Sequence, residues 1–240
     1  MSRRRSVLWL CLLVSFTGCR RDPLPGFPRV ILWAWESPQN LDFIDPHQAG
    51  VAFLARTLVL GDHQAILRPR LQPLHVPPGT ALIAVVRLES TGHDDLPTPA
   101  DIAPAIADLA RERGIRALQI DYDARVSERA FYRDLIGQVK RRLPDRFPLS
   151  ITALASWCNG DGWIATLPVS SAIPMLFRMG PERYRPGSSF RVPLCQTDVG
   201  VSMDEPVARL PRGRRVYVFH PGPWTQRDYR NALQEVHRWQ

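Results

Sequence analysis

The chain has 240 residues and a formal net charge of +8, with 31 lysine and arginine residues against 23 aspartate and glutamate residues. The excess is almost entirely arginine, since Lys140 is the only lysine, and no basic run is interleaved with aromatic residues. The sequence therefore gives no support to a nucleic-acid-binding protein, whereas affinity for anionic lipid or acidic polymers stays open. Even without its apolar N-terminus the chain keeps about 220 residues, enough for one domain with a full hydrophobic core.

The N-terminus has the pattern of an export signal. Three arginines at positions 3–5 form a basic region, and the apolar run over residues 7–16 is shorter than the roughly 20 residues that span a bilayer. A threonine and a glycine then precede Cys19, which predicts a lipoprotein signal over residues 1–19. We expect an exported protein of the cell envelope, anchored in a bacterial membrane by lipid on Cys19. An ordinary secretory signal and an uncleaved anchor are the alternatives.

Residues 20–28 carry three prolines and charged residues, so we predict a tether there and a single domain over residues 29–240. Cys158 and Cys195 lie in that domain and could pair in an oxidising compartment, although sequence alone cannot bring them together. We expect that they are not both essential to folding, because a domain of this size has enough core. No zinc-like Cys/His spacing and no HExxH pair is present, so neither a metal nor another cofactor is predicted.

Apolar segments with strand character recur along the domain, each closed by turn-forming residues. Eight of them are predicted as strands of one sheet, at residues 30–35, 51–60, 82–88, 117–123, 149–155, 173–177, 199–203 and 216–219. A further strand at residues 64–71 returns beside the second of these. Amphipathic helices are predicted after the third, fourth and eighth strands, with starts at Thr98, Ser127 and Thr225.

Continuously apolar strands suit a sheet that is buried on both faces. The pattern therefore predicts an α/β fold, a (β/α)8 TIM-type barrel in which several helices are abbreviated. An open, doubly wound sheet is the rival architecture. It would usually carry a glycine-rich phosphate loop at the start of its first helix, and no such loop is present in the sequence.

The strand at residues 117–123 is the centre of the functional prediction. Side chains alternate along a strand, so Gln119, Asp121 and Asp123 share one face and Tyr122 points to the other. The Cβ atoms of the two aspartates would lie about 7 Å apart. Two carboxylates at the end of a buried strand are costly to place, and the carboxyl ends of barrel strands form the rim where active sites lie. The pair therefore predicts a functional site.

Aromatic, amide and charged side chains follow several other strands and would meet the two aspartates at that rim. Aromatic rings stack on sugar faces and carboxylates supply acid, base or nucleophile, so the set predicts a carbohydrate site. The candidate catalytic residues are Asp121, Asp123 and Glu36, and the candidate substrate-binding residues are Trp35, Gln119, Tyr122, Trp157, Asp161, Arg178 and Trp224.

Structural roles stay open for these residues. The two aspartates could form an ion network with Arg87 or Arg178 inside the rim, and Trp35 could belong to the barrel core. Asp161 lies between two glycines, which is more typical of a turn residue, although it is also a candidate for a second catalytic carboxylate.

Four blocks of sequence carry a family resemblance. They are Ile-Leu-Trp-Ala-Trp-Glu at residues 31–36, Gln-Ile-Asp-Tyr-Asp-Ala at 119–124 with Ser-Glu-Arg at 127–129, Leu-Ser-Ile-Thr-Ala-Leu-Ala-Ser-Trp-Cys at 149–158, and Pro-Met-Leu-Phe-Arg-Met-Gly at 174–180. In these blocks the chain resembles an uncharacterised bacterial family, domain of unknown function 3142. That resemblance brings no known activity.

Residues 118–123 carry a second, more distant resemblance, to the fourth-strand signature Asp-x-Asp-x-Glu of chitinase-like, family 18 glycoside hydrolases. Gln119 takes the place of the first Asp, Asp121 that of the second, and Asp123 that of the acid Glu. The resemblance implies a glycosidase-like barrel with Asp123 as general acid. Asp121 would then orient that acid or the substrate, and would raise the pKa of the acid by like-charge repulsion.

We therefore expect a lipid-anchored envelope protein that hydrolyses or binds a glycan at the strand C-terminal rim. The alternative is a non-catalytic glycan-binding or scaffold lipoprotein. Gln119 at the first position of the signature and the shorter acid at Asp123 both favour this alternative.

Overall fold

The structure is a computed structural model that describes residues 22–91, 95–179, 189–207 and 209–240, so the predicted lipidation residue Cys19 lies outside the described residues. The described strands are β1 (Val30–Ala34), β2 (Gln39–Asn40), β3 (Ala49–Gly61), β4 (Gln64–Pro69), β5 (Leu74–His75), β6 (Leu82–Ser90), β7 (Ile115–Asp121), β8 (Leu149–Leu154), β9 (Ser171–Met175), β10 (Asp198–Ser202) and β11 (Arg215–Phe219). The described helices are α1 (Pro99–Ala107), α2 (Arg129–Arg142), α3 (Ala155–Asn159) and α4 (Gln226–Trp239). Short 3-10 turns cover Asp108–Arg111, Val126–Glu128, Trp163–Thr166 and Pro193–Cys195.

Eight parallel strands close into a barrel. Their order around it is β1, β3, β6, β7, β8, β9, β10 and β11, and β1 pairs in parallel with both β3 and β11. This confirms the predicted barrel, and helices α1, α2 and α4 follow the third, fourth and eighth barrel strands as predicted. The fifth barrel strand is followed only by the short helix α3, so the helical layer is abbreviated. Strand β4 returns antiparallel to β3, also as predicted.

Each long helix buries one apolar stripe against the outside of the barrel. Helix α2 presents Tyr132, Leu135 and Val139, which share one helical face, to the outer apolar side chains of β6, β7 and β8. Helix α4 covers β1, β10 and β11 in the same way. Thr225 caps α4 as predicted: its hydroxyl accepts the Asp228 N–H at 3.2 Å, and the Asp228 carboxylate accepts the Thr225 N–H at 3.3 Å.

The barrel interior is a separate apolar layer built around one large side chain. Trp33, on β1, is 3% exposed, and its indole Nε1 donates to Gln119 Oε1 at 2.8 Å. A Cβ atom at Gly200 would lie 2.7 Å from Trp33 Cη2, and one at Gly50 would lie 2.9 Å from Ile31 Cδ1. Glycine at these two positions lets neighbouring strands approach the large side chains. The interior is therefore packed, not hollow, as is usual for barrels of eight strands.

Residues 22–28, the described part of the tether predicted over residues 20–28, close the N-terminal end of the barrel. Leu24 and Phe27 are buried in the interior apolar cluster. The guanidinium of Arg116, near the start of β7, lies 4.9 Å from the centre of the Phe27 ring. The prolines that suggested a spacer belong to an irregular segment that turns two large apolar side chains into the barrel, and burial of those side chains stabilises it there.

A buried arginine holds this segment in place. Arg215, the first residue of β11, is 2% exposed, and its guanidinium donates to both carboxylate oxygens of Asp22, at 3.0 and 3.2 Å, and to Asp198 Oδ1 at 3.2 Å. It also donates to the carbonyl oxygens of Leu24 and Pro28. Burial raises the pKa of Asp198, while the charge of Arg215 opposes the rise. The buried Asp198 carboxylate therefore depends on Arg215 as its counter-charge.

A disulfide joins Cys158 of α3 to Cys195 across a sequence separation of 37 residues. Sequence alone left this pairing open. The N–H groups of Arg191 and Val192 both donate to the Cys158 carbonyl oxygen at 3.1 Å, so the segment before β10 is fastened to α3 at several points. A loop of this length corresponds to about 4 kcal/mol of stabilisation through the unfolded chain. That the two cysteines are not both essential to folding stays a prediction.

Replacing Arg215 with methionine should lower the free energy of unfolding by about 3–5 kcal/mol, because Asp198 would become a buried charge without its partner. Urea denaturation of the variant and the wild type measures the loss. The double replacement Arg215→Met with Asp198→Leu removes both charges and should recover part of it. A loss below about 1 kcal/mol in the single variant would show that the network does not hold this end of the barrel.

Candidate functional site

A cavity of about 370 Å³ opens at the carboxyl ends of the barrel strands. Its lining includes two carboxylates, two guanidinium groups and four aromatic rings, from Asp121, Asp123, Arg87, Arg178, Trp33, Trp35, Phe177 and Phe219. Parallel barrel strands present their carboxyl ends at one rim, which is why side chains so distant in sequence meet here. Four predicted site residues are thereby brought together: Trp35, Asp121, Asp123 and Arg178.

Asp121 is the last residue of β7 and lines the cavity. Its Oδ1 accepts a hydrogen bond from Thr152 Oγ1, on the neighbouring strand β8, at 2.6 Å. Burial raises the pKa of Asp121 and the charge of Asp123 adds to the rise, while the Thr152 hydrogen bond and the charge of Arg87 oppose it. Asp121 is therefore a fixed carboxyl group that retains a proton more readily than an ordinary aspartate.

Asp123 lies two residues beyond the end of β7, on the same side as Asp121, as the predicted alternation requires. The residue is exposed at the mouth, where a ligand can reach it. The cavity walls nevertheless surround its carboxyl group, and this burial raises the pKa of Asp123 while Arg87 opposes the rise. The two aspartates thus differ in access: Asp121 is held inside and Asp123 is presented at the mouth.

Aromatic side chains form one wall of the cavity. The rings of Phe177 and Phe219 are stacked, with centres 5.7 Å apart and planes inclined by 6°, and Trp35 meets Phe219 edge-on at 6.4 Å. Arg178 lies 5.5 Å from the centre of the Phe219 ring, and Arg87 lies 6.0 Å from that of Trp35. The cavity therefore combines flat apolar surface with a few convergent polar groups, which is typical of sites for small polar ligands.

The ion network considered for the two aspartates is not formed at contact distance. Arg87 pairs with Glu89 at 3.1 Å. Within the described part of the chain, neither Asp121 nor Asp123 is in an ion pair. The pair is therefore held by a hydroxyl group and by burial, and Arg87 acts on it only from beyond contact distance.

Three predicted substrate-binding residues are buried outside the barrel. Tyr122 occupies the outer face of its strand, as its alternation requires. Trp157 packs edge-on against Trp163 at 5.0 Å, because helix α3 begins directly after β8 and turns the ring away from the rim. Trp224 lies beneath α4, where its Nε1 donates to the carbonyl oxygen of Trp33 at 2.9 Å. These three side chains support the barrel and do not line the cavity.

The cavity lining also lacks three further predicted site residues, Gln119, Glu36 and Asp161. Gln119 lies in the barrel interior, bonded to Trp33. Glu36 lines a second cavity of about 400 Å³ that shares Arg87 with the first. Asp161 forms an ion pair with Arg129 at the start of α2. Among the described residues, no group of three or more histidine, cysteine, aspartate or glutamate side chains could hold a metal ion.

Sequence reasoning missed Thr152, Phe177 and Phe219 as parts of the site. Thr152 lies on β8, Phe177 follows β9 by two residues and Phe219 ends β11. The available signal was their position near the carboxyl ends of predicted strands, since such residues reach the barrel rim. Threonine and phenylalanine are also ordinary strand residues, so composition did not single them out.

The fold and the cavity define an α/β-barrel protein with a carboxylate-bearing site at the strand C-terminal rim. Residues 78–170 match the family described as Domain of unknown function (DUF3142), which confirms the resemblance drawn from the sequence. The matched region contains β6, β7 and β8, and with them Asp121, Asp123 and Thr152. The resembling blocks at residues 31–36 and 174–180 lie outside it.

Among solved structures, the chain resembles the chitinase domain of the spore coat protein CotE from Clostridium difficile, with a TM-score of 0.46 and 16% sequence identity. The comparison covers 76% of this chain and 60% of that one. This likeness concerns the fold alone. No curated protein matches the sequence.

Replacing Asp121 with asparagine should leave the protein at least as stable as the wild type at neutral pH. Above the ordinary carboxyl pKa of 3.8 the unfolded chain has lost this proton, whereas the folded protein retains it up to its raised pKa. The wild-type free energy of unfolding should therefore fall as the pH rises through that window. The asparagine variant should lack this pH-dependent fall in the free energy of unfolding. Its side-chain oxygen can still accept the hydrogen bond from Thr152.

Urea denaturation from about pH 4 to about pH 8 measures this difference. The control is Asp134→Asn, which removes an exposed carboxylate on α2, away from the cavity. An Asp121→Asn protein that is much less stable than the wild type throughout the range would identify Asp121 as a structural residue.

Proposed function

We propose that the cavity binds a glycan and that Asp123 acts in it as the general acid of glycosidic bond hydrolysis. The observation that carries the proposal is an accessible carboxyl group of raised pKa beside a stacked aromatic wall, at the carboxyl ends of barrel strands. A raised pKa favours the protonated form of the carboxyl group, which a proton donor requires. The aromatic wall offers a surface on which a sugar face can stack.

The two aspartates would have different roles in hydrolysis. Asp123 at the mouth donates its proton to the glycosidic oxygen as the bond to the leaving sugar breaks. Asp121, held by Thr152, stabilises in its ionised form the positive charge that develops at the reacting carbon. A water molecule then attacks that carbon and gives a proton back to Asp123, which restores the acid. Asp123 stands where the family 18 signature has a glutamate, so its carboxyl group reaches about one ångström less far, and a misplacement of that size can cost about 100-fold in rate.

A second candidate is glycan binding without catalysis. Gln119, at the first position of the family 18 signature, is committed to Trp33 inside the barrel. Among the described lining residues the only carboxylates are Asp121 and Asp123, which lie at the end of the same strand. A hydrolase would usually place its second carboxylate across the cleft from the acid. The two candidate functions share one class of ligand and differ in whether the ligand is hydrolysed.

Replacing Asp123 with asparagine should lower glycan hydrolysis by at least about 100-fold, since the variant has no proton to donate. Glycan affinity should persist, and the melting temperature should equal or exceed that of the wild type, because a partly buried charge has been removed. Reducing-end release from a panel of envelope and extracellular glycans measures the rate, and thermal melting measures the stability.

The matched control is Asp123→Glu, which restores the length of the acid in the family 18 signature. Hydrolysis at or above the wild-type rate is expected from this variant if Asp123 is the acid. Absence of turnover in all three proteins, together with glycan binding, would select the non-catalytic function. A strong fall in melting temperature for Asp123→Asn would count against Asp123 as the general acid, since it would make the residue structural.

We propose further that the protein is exported and held at a bacterial membrane by lipid on Cys19. The basic and apolar N-terminal pattern before Cys19 supports this location, and the Cys158–Cys195 disulfide is of a kind that persists in oxidising compartments. Within the described residues, none of the helices has the length and apolar character needed to cross a membrane.

Replacing Cys19 with alanine should abolish incorporation of labelled fatty acid and move the protein from the membrane fraction to the soluble fraction. The reason is that the acyl chains, which attach to this cysteine, would be the main source of membrane affinity. The control is Cys158→Ser, which changes a cysteine in the folded domain. Full membrane retention of the Cys19→Ala protein would rule out lipid as the sole anchor.

A further inference from the structure

The two arginines at the mouth of the cavity differ in their contacts. Arg87 is paired with Glu89 at 3.1 Å. The guanidinium of Arg178 lies over the Phe219 ring, and it makes no hydrogen bond or ion pair within the described part of the chain. A cation without a partner, lying on an aromatic face in a ligand-sized cavity, is available to a bound anion.

The backbone holds Arg178 in place at a conformational cost. Its φ of 53° lies in the left-handed region, which a residue with a Cβ atom rarely adopts. The Arg178 N–H donates to both carboxylate oxygens of Glu205, at 3.0 and 3.1 Å, and this contact fixes the turn after β9. Glycine would fit this conformation without strain, yet the position carries a long cationic side chain aimed at the cavity. Strained residues of this kind concentrate at ligand-binding sites.

The charges around the cavity also favour an anion at Arg178. Arg87 is already offset by Glu89, which leaves Arg178 as the cation of the lining that is in no ion pair among the described residues. Burial favours the protonated forms of Asp121 and Asp123, which reduces the negative charge that these two carboxyl groups present to an anionic ligand. Arg178 is exposed at the mouth, so a ligand can reach its guanidinium.

We propose that Arg178 binds a carboxylate substituent of the glycan, so that the ligand is an acidic glycan and not a neutral one. The inference rests on the proposed function of the cavity as a glycan site. A planar guanidinium pairs with a carboxylate through two parallel hydrogen bonds. The Arg178 guanidinium lies 5.5 Å from the centre of the Phe219 ring, next to the stacked aromatic wall. The carboxylate could belong to a uronic acid or to an ether-linked lactyl group on an amino sugar.

Two matched pairs of probes separate these sources and isolate the charge. Peptide-free glycan strands of peptidoglycan carry lactyl carboxylates on a β-1,4-linked amino-sugar backbone, and chitin oligosaccharides have that backbone without the carboxylates. Oligogalacturonate carries uronate groups, and its methyl ester does not. Calorimetric titration of the full chain with all four probes should give about tenfold tighter binding to at least one acidic probe than to its neutral counterpart.

Three variants connect this preference to Arg178. Arg178→Gln should abolish the preference and leave affinity for the neutral probe within about twofold. Arg133→Gln removes an exposed arginine on α2 and should leave the preference intact. Arg178→Gly removes the guanidinium while relieving the backbone strain, so it should lose the preference and melt at or above the wild-type temperature. A purely structural guanidinium would instead make both Arg178 variants melt lower.

The outcomes separate this inference from the proposed function. Equal wild-type affinity for both members of each pair, or a preference that survives in Arg178→Gln, would overturn the acidic-glycan inference and leave the glycan site standing. Absence of binding to all four probes would overturn both.

Discussion

The Trp33 indole in the barrel interior is the constraint on which the rest of the site depends. It leaves no room for a side chain at Gly200, and it is held by a hydrogen bond to Gln119. The same ring forms part of the cavity surface, so the packed core ends where the cavity begins. Gln119 therefore supports the ring that underlies the site.

The two ends of the barrel treat buried charge in opposite ways. At the N-terminal end, Asp198 is matched by Arg215, which makes five donor contacts of its own. At the other end, Asp121 and Asp123 are in no ion pair within the described residues, although burial raises their pKa values as it does that of Asp198. A fold gains no stability from the second arrangement. Carboxylates without an ion pair, placed together at one rim of the barrel, are the pattern expected where function opposes stability.

The barrel could be predicted because its signals are local: apolar runs mark each strand, and alternation in β7 places Asp121 and Asp123 on one side. The positions of residues that depend on contacts with distant parts of the chain could not be predicted from the sequence. Trp157 follows a strand, but the turn into α3 rotates it outward. Leu24 lies in a proline-rich segment, and only the closed barrel supplies the interior that buries it. The partner of Cys158 likewise depends on how residues after β9 return to the barrel.

The segment that closes the barrel also determines which end of the barrel lies nearer the N-terminus of the chain. Asp22 is tied to the first residue of β11, so the chain enters the barrel at the face opposite the cavity. Only residues 20 and 21 separate Asp22 from Cys19. With lipid on that cysteine, the barrel would sit with its closed end toward the bilayer and its mouth pointing away. Such a protein would meet polymers that approach from the far side, and would have little reach along the membrane plane.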